Sequence, residues 1–376
     1  MMMEFGDPQL RPHSCRLLYL VGQLGRGGLE RQLCYLLRIL DRKRYRPAVM
    51  LWNPSPNDIY LSDLAALEVP IHPVPTGAGA SAKLSYCRSL VRRLSPEVIH
   101  SYSFYTNFAA YYAAVGTQAI CLGSIRSNFL FEQNKAGPWL GRLSSLFPRH
   151  HISNNLQAAE TIWRSTGIFR PGTLSVVRNG VDLDLFSKVP PPLGGVPLIL
   201  SVGSLLPIKR WDRLLTMVRE LKRRKLRFMV QVAGEGPLRK MLEGQAQELH
   251  VADCLEFLGA VRDIPTLLAK ANFLVHTSDA EGCPNVVMEA MAAGRAVVAT
   301  DAGDVRHLIE NGASGFVVSP GDDAALADRA AALLTDQLLC QSMGENARAR
   351  AERDFSVHGL VSRTLDAYKA AGWKDE

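Results

Sequence analysis

The sequence predicts an α/β protein of two doubly wound domains facing a central cleft. Three observations carry that prediction. Short, near-continuous apolar runs alternate with segments whose apolar residues recur at helical spacing, the pattern of parallel strands covered by helices on both faces. The alternation breaks once, at the Pro- and Gly-rich stretch KVPPPLGGVP (188–197), and then starts afresh. A chain of 376 residues with 47% hydrophobic content is long for one core and comfortable for two.

Taken in order, strands are expected at RLLYLVG (16–22), RPAVMLW (46–52), EVIHSYS (97–103), AICLGSI (119–125), HHIS (150–153) and LSVV (174–177). Helices are expected at GLERQLCYLLRIL (28–40), AKLSYCRSLVRRL (82–94) and NLQAAETIWRSTG (155–167). These make a first domain of residues 1–188, followed by a linker at 189–196. A second domain, 197–355, restarts with PLILSVG (197–203), RFMVQVAG (227–234), CLEFLG (254–259), NFLVHTS (272–278) and RAVVAT (295–300) as strands, with helices between. From Ala324 to Ala371 the pattern is helical with one interruption near Phe355. Open sheets of this kind bind ligands at the carboxyl ends of their strands, so the loops there are where function is sought.

Composition narrows the classes. The opening MMMEFGDPQLRPHS is not an apolar run after a basic start, so no leader is expected. No run of about 18 apolar residues occurs; the nearest, Phe104 to Ile125, is broken by polar residues and reads as a helix followed by a strand. Seven scattered cysteines with no CxxC pair suit a reduced cytoplasmic compartment without a zinc site or disulfide framework. No HExxH or other metal spacing is present, and the adjacent His150 and His151 of one strand point to opposite faces. Charge is uneven. Residues 1–190 hold 21 Lys and Arg against 12 Asp and Glu, whereas the remainder hold 22 against 24. A basic first half points to an acidic partner. No nucleic-acid reader motif accompanies it, so an anionic membrane surface or a lipid diphosphate fits better than nucleic acid. Arg42, Lys43, Arg44 and Arg46, with Lys83, Arg88, Arg92 and Arg93, are the residues expected to make that contact.

The most informative stretch is EGCPNVVMEAMAAG (281–294). Glu281 and Glu289 are separated by seven residues, with Gly282 and Pro284 between them. Pro284 suits the first position of a helix and Gly294 the residue after its last turn. Asn285 and Val286 would then offer backbone N–H groups and a partial positive charge, flanked by two carboxylates. That geometry suits a phosphate with hydroxyls on either side, as in a nucleotide sugar. Lys209, in SVGSLLPIK, is unfavourable at a helix start unless an anion binds there. Gly25, Gly27 and Gly28 form a loop after the first strand that permits close approach of a ligand, but Glu30 breaks the dinucleotide fingerprint. Asp182-Leu-Asp184 follows Asn179-Gly180 and reads as a capped turn rather than a metal site.

These segments, with VAGEGPLR (232–239), EFLGAVRDIPTLLAKANFLVHTS (256–278), DAGDVRHLIENGASGFVVSPGD (301–322) and the weaker GRGGLERQL (25–33) and VVRNGVDLDLF (176–186), occur in one fixed order. In that order the chain resembles the retaining glycosyltransferases of the family 4 type (glycosyl transferases group 1). The resemblance implies the GT-B fold of two Rossmann-like domains, with residues 356–376 as a last helix returning to the first domain. It implies a nucleotide diphosphate sugar as co-substrate, no cofactor and no metal. Glu281 would face the donor sugar, Glu289 the ribose, and Lys209 the diphosphate. Around them Gly27, Gly28, Ser204, Arg210, Gly234, Val261, Arg262, Gly282, Pro284, Asn285 and Val286 would complete the donor site, with Gly259 to Asp263 reading the base. His100, catalytic in this reading, would meet the acceptor with Tyr102 and Arg126, the acceptor being a glycan or a lipid-linked saccharide. Two departures stand out. The family often has Arg where this chain has Ser204, which leaves Arg210 to substitute, and it usually has a second His where this chain has Tyr102. An epimerase or phosphorylase on the same scaffold, or a non-catalytic binder of nucleotide sugars, are the rival readings.

Overall fold

The computed structural model describes residues 15–25, 27–164, 167–187, 190 and 194–376. Half of the expected 189–196 linker (189 and 191–193), and the stretch 1–14, lie outside the described residues. The chain divides into two compact units. The first gathers the described residues up to Asn154 with Ala159–Val177 and Val361–Glu376; the second comprises Asn155–Ala158 and Arg178–Leu360.

The first unit is built on seven parallel strands: β1 (Leu17–Val21), β2 (Pro47–Leu51), β3 (Ile71–Pro73), β4 (Val98–Ser101), β5 (Ile120–Ile125), β6 (His150–Ser153) and β7 (Thr173–Val176). Their spatial order is β3-β2-β1-β4-β5-β6-β7. The second has six parallel strands: β8 (Leu198–Val202), β9 (Met229–Ala233), β10 (Leu255–Gly259), β11 (Phe273–His276), β12 (Ala296–Thr300) and β13 (Gly315–Val318), ordered β10-β9-β8-β11-β12-β13. In each sheet the winding reverses beside the first strand, at β1/β4 and β8/β11. A crevice opens at such a reversal because the loops on either side depart in opposite directions.

Both faces of the second sheet are buried, and the period-two alternation of a strand sorts its residues between them. Ile199, Phe273, Val275, Ala296 and Val298 pack with Trp211, Leu214 and Val218 of the helix Trp211–Arg223. Leu200, Leu274, Val297 and Ala299 pack with Val287, Met288 and Met291 of the helix Asn285–Ala292. In the first unit Leu18, Leu20 and Ile99 form one core with Leu90 and Val91 of the helix Ala80–Leu94.

Several elements differ from the sequence reading. β3 and β13 were not expected: one is three residues ending in Pro73, the other begins at Gly315, and both are too short to show a period. Two helices, Phe129–Lys135 and Pro138–Leu146, occupy a stretch with no assignment. The helical tail has two breaks rather than one. Asp336 ends the helix Asp323–Thr335 and caps Gln337–Asp354, its Oδ1 accepting from Leu339 N. Pro284 is the cap of its helix and Asn285 the first helical residue. At the other end of that helix Gly294, at φ +71°, and Arg295 donate back to Met291 and Ala290, closing it with a left-handed glycine.

Candidate functional site

At the β8/β11 reversal two loops are stitched together. Thr277 Oγ1 donates to Lys209 O (2.8 Å) and Asp279 N donates to Ile208 O (2.9 Å). The strand β11 runs out through His276, Thr277 and Ser278, all buried, into the loop that carries Glu281. On one oxygen of Glu281, Oε1, two donors converge: Lys209 Nζ at 2.5 Å and Ser278 Oγ at 2.6 Å. His276 Nε2 stands 3.0 Å from the same oxygen, without an aligned hydrogen bond. Burial of the carboxyl favours its neutral form, but the His276 ring and the Lys209 ammonium outweigh burial and hold its pKa at about 2. Glu281 is therefore ionised throughout the physiological range.

The loop beyond Glu281 is fixed from two sides. Gly303, at φ +59°, lies so close that a Cβ would stand 2.4 Å from Gly282 O and 2.5 Å from Glu281 O, and Asp304 N donates to Gly282 O (2.9 Å). Asp304 is itself buried; its carboxylate accepts from Leu156 N (2.6 Å) and from Arg178 Nε (2.8 Å). From the other side Asn179 Nδ2 donates to Cys283 O (3.2 Å) and Asn285 Oδ1 (2.7 Å). Pro284, the residue before the first helical turn at Asn285 and Val286, makes no side-chain cap hydrogen bond. Glu289 follows in the second turn, 4% exposed. Asp182 Oδ1 accepts from the N–H groups of Asp184 and Leu185, so the Asp-Leu-Asp sequence is a capped turn.

The other residues that the sequence reading assigned to a donor site are placed as follows. Gly234 abuts the β8 loop, where a Cβ would stand 1.8 Å from Gly203 O. Ser204 is exposed, and its carbonyl accepts from Trp211 Nε1 (3.0 Å). Val261 is half-buried and Arg262 exposed in the loop after β10, whose Asp263 caps the next helix through Thr266 N. Arg210 is engaged elsewhere: its guanidinium donates to Asp212 (2.7 Å) and Asp279 (2.9 Å). The substitution of Arg210 for the missing cation at Ser204 thus meets a side chain already held by two carboxylates. Among the described residues no cluster of three or more His, Cys, Asp or Glu side chains could hold a metal ion.

The first unit places its predicted residues differently. Gly27 caps the helix Gly28–Ile39, and the Glu30 carboxylate occupies the space a side chain at Gly27 would need. His100, Tyr102 and Arg126 do come together. The Arg126 guanidinium lies 4.0 Å from the centre of the Tyr102 ring and donates to Ser124 Oγ (3.3 Å). His100, however, is 2% exposed, with Nδ1 paired to Tyr368 Oη (2.8 Å) and Nε2 to Ser124 Oγ (3.0 Å). Burial, with Arg126 adding to it, pushes its pKa well below the usual value. The residue to which the sequence reading gave a catalytic part thus has its ring closed off from solvent and paired at both nitrogens. Tyr102 is buried as well. Arg126, half-buried, is the member of the trio closest to solvent.

Sequence reasoning missed His276, Ser278 and Asp304. The first two could have been noticed as polar residues closing an otherwise apolar strand.

Two family models match the chain in tandem: Glycosyltransferase Family 4 over residues 26–185 and Glycosyl transferases group 1 over residues 185–350. The chain belongs to this glycosyltransferase family. Among curated relatives, N-acetyl-alpha-D-glucosaminyl L-malate synthase of Bacillus anthracis is 32% identical over 36% of this chain and 36% of its own length. Glycogen synthase of Mycobacterium tuberculosis is 30% identical over 55% of this chain and 51% of its own. The chain thus spans about half or less of the length of these two relatives. The family's GT-B fold is shared with a solved structure, Anabaena Alr3699/HepE, at a TM-score of 0.80 and 20% identity, covering 94% of this chain and 100% of that one. That protein was solved in complex with UDP and with UDP-glucose.

Proposed function

We propose that the protein is a retaining glycosyltransferase, moving a hexosyl group from a nucleotide diphosphate sugar to a glycan or lipid-linked acceptor in cell-surface polysaccharide or glycolipid synthesis at the cytoplasmic face of the membrane. The observation that carries this reading is Glu281, held ionised beside Lys209 at the β8/β11 reversal and followed by the start of the helix Asn285–Ala292. The diphosphate would lie on Lys209 and on the N–H groups at Asn285 and Val286, where positive charge and helix dipole coincide. Glu289 would accept from the ribose hydroxyls. Since Oε1 of Glu281 already has its donors, Oε2 is the oxygen left to accept a sugar hydroxyl.

In the reaction the bond between the anomeric carbon and the diphosphate oxygen breaks, its electron pair passing to the diphosphate. Lys209 stabilises that growing charge, shifting from the carboxylate to the leaving group. The acceptor oxygen bonds to the anomeric carbon from the face the diphosphate leaves, and its proton passes to a phosphate oxygen. No metal or resident cofactor is required. The UDP and UDP-glucose complexes of the Anabaena protein make UDP-sugars the first donors to try.

The test is transfer from a panel of UDP-, GDP- and ADP-sugars to a saccharide-lipid acceptor, with product configuration read by NMR. An α-donor should give an α-product. A β-product would refute retention, and no transfer or donor hydrolysis with any sugar, together with donor binding, would favour a non-catalytic binder.

A further inference from the structure

The helices Phe129–Lys135 and Pro138–Leu146 form a tight hairpin beside the loop that carries Arg126. They cross at Gly141, where a Cβ would stand 2.0 Å from Gln133 O. Gln133 joins the two helices by donating to Ser145 Oγ (2.8 Å) and ties the hairpin to the neighbouring loop by donating to Phe169 O (3.3 Å). Phe129 and Gly141 face inward and are buried. The outward residues are not polar. Trp139 is 76% exposed, Phe131 57%, Leu130 49% and Leu140 38%, and Ile168, next to Phe169, is 79% exposed. Isolated exposed apolar residues need no explanation, but five large ones on a hairpin and its neighbouring loop do.

The charges around them have one sign. Lys135 lies 5.9 Å from the Phe131 ring centre and Arg142 lies 5.1 Å from that of Phe169. Both are exposed, as is Arg149. Of the two acidic residues between 126 and 173, Glu160 is half-buried on another helix, and Glu132 is turned inward. The Glu132 carboxylate accepts from Arg126 N (3.0 Å), which fixes the hairpin to the predicted acceptor residue.

We infer that the outer face of this hairpin seats the protein on an anionic lipid surface. Tryptophan and phenylalanine enter the headgroup boundary, and lysine and arginine beside them meet anionic headgroups. A second copy of the chain is the poorer occupant, because a two-fold pairing would set Lys135 and Arg142 against their own counterparts. The surface also relocates the membrane contact expected from sequence. Arg44 is paired with Asp375 (3.0 Å) and Lys83 donates to Trp52 O (3.2 Å) and Asn53 Oδ1 (2.5 Å). Neither residues 42–46 nor the helix Ala80–Leu94 presents a large exposed apolar side chain among the described residues. The inference deepens the proposed membrane role and is independent of the transfer chemistry. A lipid-linked acceptor would reach Arg126 directly from the surface on which the hairpin rests.

The full chain, without nucleotide sugar, is sedimented with vesicles of phosphatidylcholine alone and of phosphatidylcholine with phosphatidylglycerol, at low and high salt. Wild type should bind the anionic vesicles, less at high salt. Phe131→Ser/Trp139→Ser should lower that affinity by about tenfold or more while keeping the unfolding midpoint. Arg92→Ser/Arg93→Ser should bind as wild type does. Vesicles should also shift tryptophan emission to the blue in wild type and much less in Trp139→Phe, a variant expected to fold. Undiminished binding by the double serine variant, or loss in the Arg92/Arg93 variant instead, would overturn the assigned surface while leaving membrane binding standing. No binding by wild type would overturn both, as would a dimer that the double serine variant dissociates. Failure of the transfer assay with vesicle binding intact would count against the proposed enzyme only.

Discussion

β4 and β11 are counterparts: each is the strand beside the first strand of its sheet, and each carries a histidine near its carboxyl end. His100 meets two hydroxyls, Tyr368 and Ser124. His276 meets a carboxylate, Glu281, which also holds Lys209. With hydroxyl partners, a buried imidazole stays neutral and ties three elements together. Beside a carboxylate and an ammonium, the same residue becomes part of a charged cluster at a strand end. The comparison teaches that topology chooses where a site can form, while the charge of the partners decides whether one does.

The largest effect expected is at the second strand end. Lys209→Ala removes the cation proposed to face the leaving group, and turnover should fall by roughly 10²–10³ with a smaller change in donor affinity, because leaving-group charge peaks in the transition state. Steady-state kinetics with the true donor measure it. Unchanged kcat would mean that the charged cluster is not the reaction centre, and the contrast between the strand ends would lose its meaning.

At the first strand end the prediction inverts. His100→Ala strands two buried hydroxyls and leaves a cavity, so stability should drop by about 2–4 kcal/mol. Turnover per folded molecule should change only a few-fold. Denaturant unfolding and kcat measured on the same preparation separate the two. If kcat collapses while stability holds, His100 is a catalytic group after all.

Glu289→Gln sharpens the picture within the second unit. Losing the proposed charged acceptor for ribose hydroxyls should weaken donor binding by roughly 1.5–3 kcal/mol with little effect on kcat. Calorimetric titration with a UDP-sugar reads it directly. Equal affinity in the two proteins would remove Glu289 from the donor site.

How far the sequence could be read follows the same divide. The candidate site of the second unit lies in a few contiguous segments, so Glu281, Pro284 and Glu289 could be picked out by spacing, and Lys209 by its place after a strand. His276 and Ser278 hide in a strand because their partner is a loop residue whose fold-back is not periodic. His100 could not be assessed from its neighbours: what closes its ring is Tyr368, 268 positions away. The hairpin at 129–146 escaped because Gly137-Pro138 divides it into helices of seven and nine residues, too short to show their period. Arg210 looked free in sequence, and only the structure brings Asp279 from the β11 loop to its guanidinium.

The smallest effect concerns pH and again separates the units. His151, on β6, donates Nε2–H to Ser144 O (3.0 Å), and its Nδ1 is buried without a partner among the described residues. Burial lowers its pKa from 6.5 to about 4. A histidine depressed in the folded state contributes stability that is present above its unfolded pKa and lost as pH falls toward the folded one. Protonation would place an unsatisfied charged N–H in the core, so the first unit should weaken between about pH 6.5 and 4. The expected loss from His151 is about 2 kcal/mol on going from pH 7.5 to 5, at roughly 1.4 kcal/mol per pKa unit. His151→Gln keeps a donor in reach of Ser144 O but cannot take up a proton, so its stability should fall less over the same interval. Glu281, depressed to about 2, keeps its contribution down to the acid edge and loses it only below about pH 4.5. Guanidinium unfolding at pH 7.5, 6 and 5 for wild type and His151→Gln reads the difference. Parallel curves would show that the buried imidazole titrates alike in folded and unfolded chains.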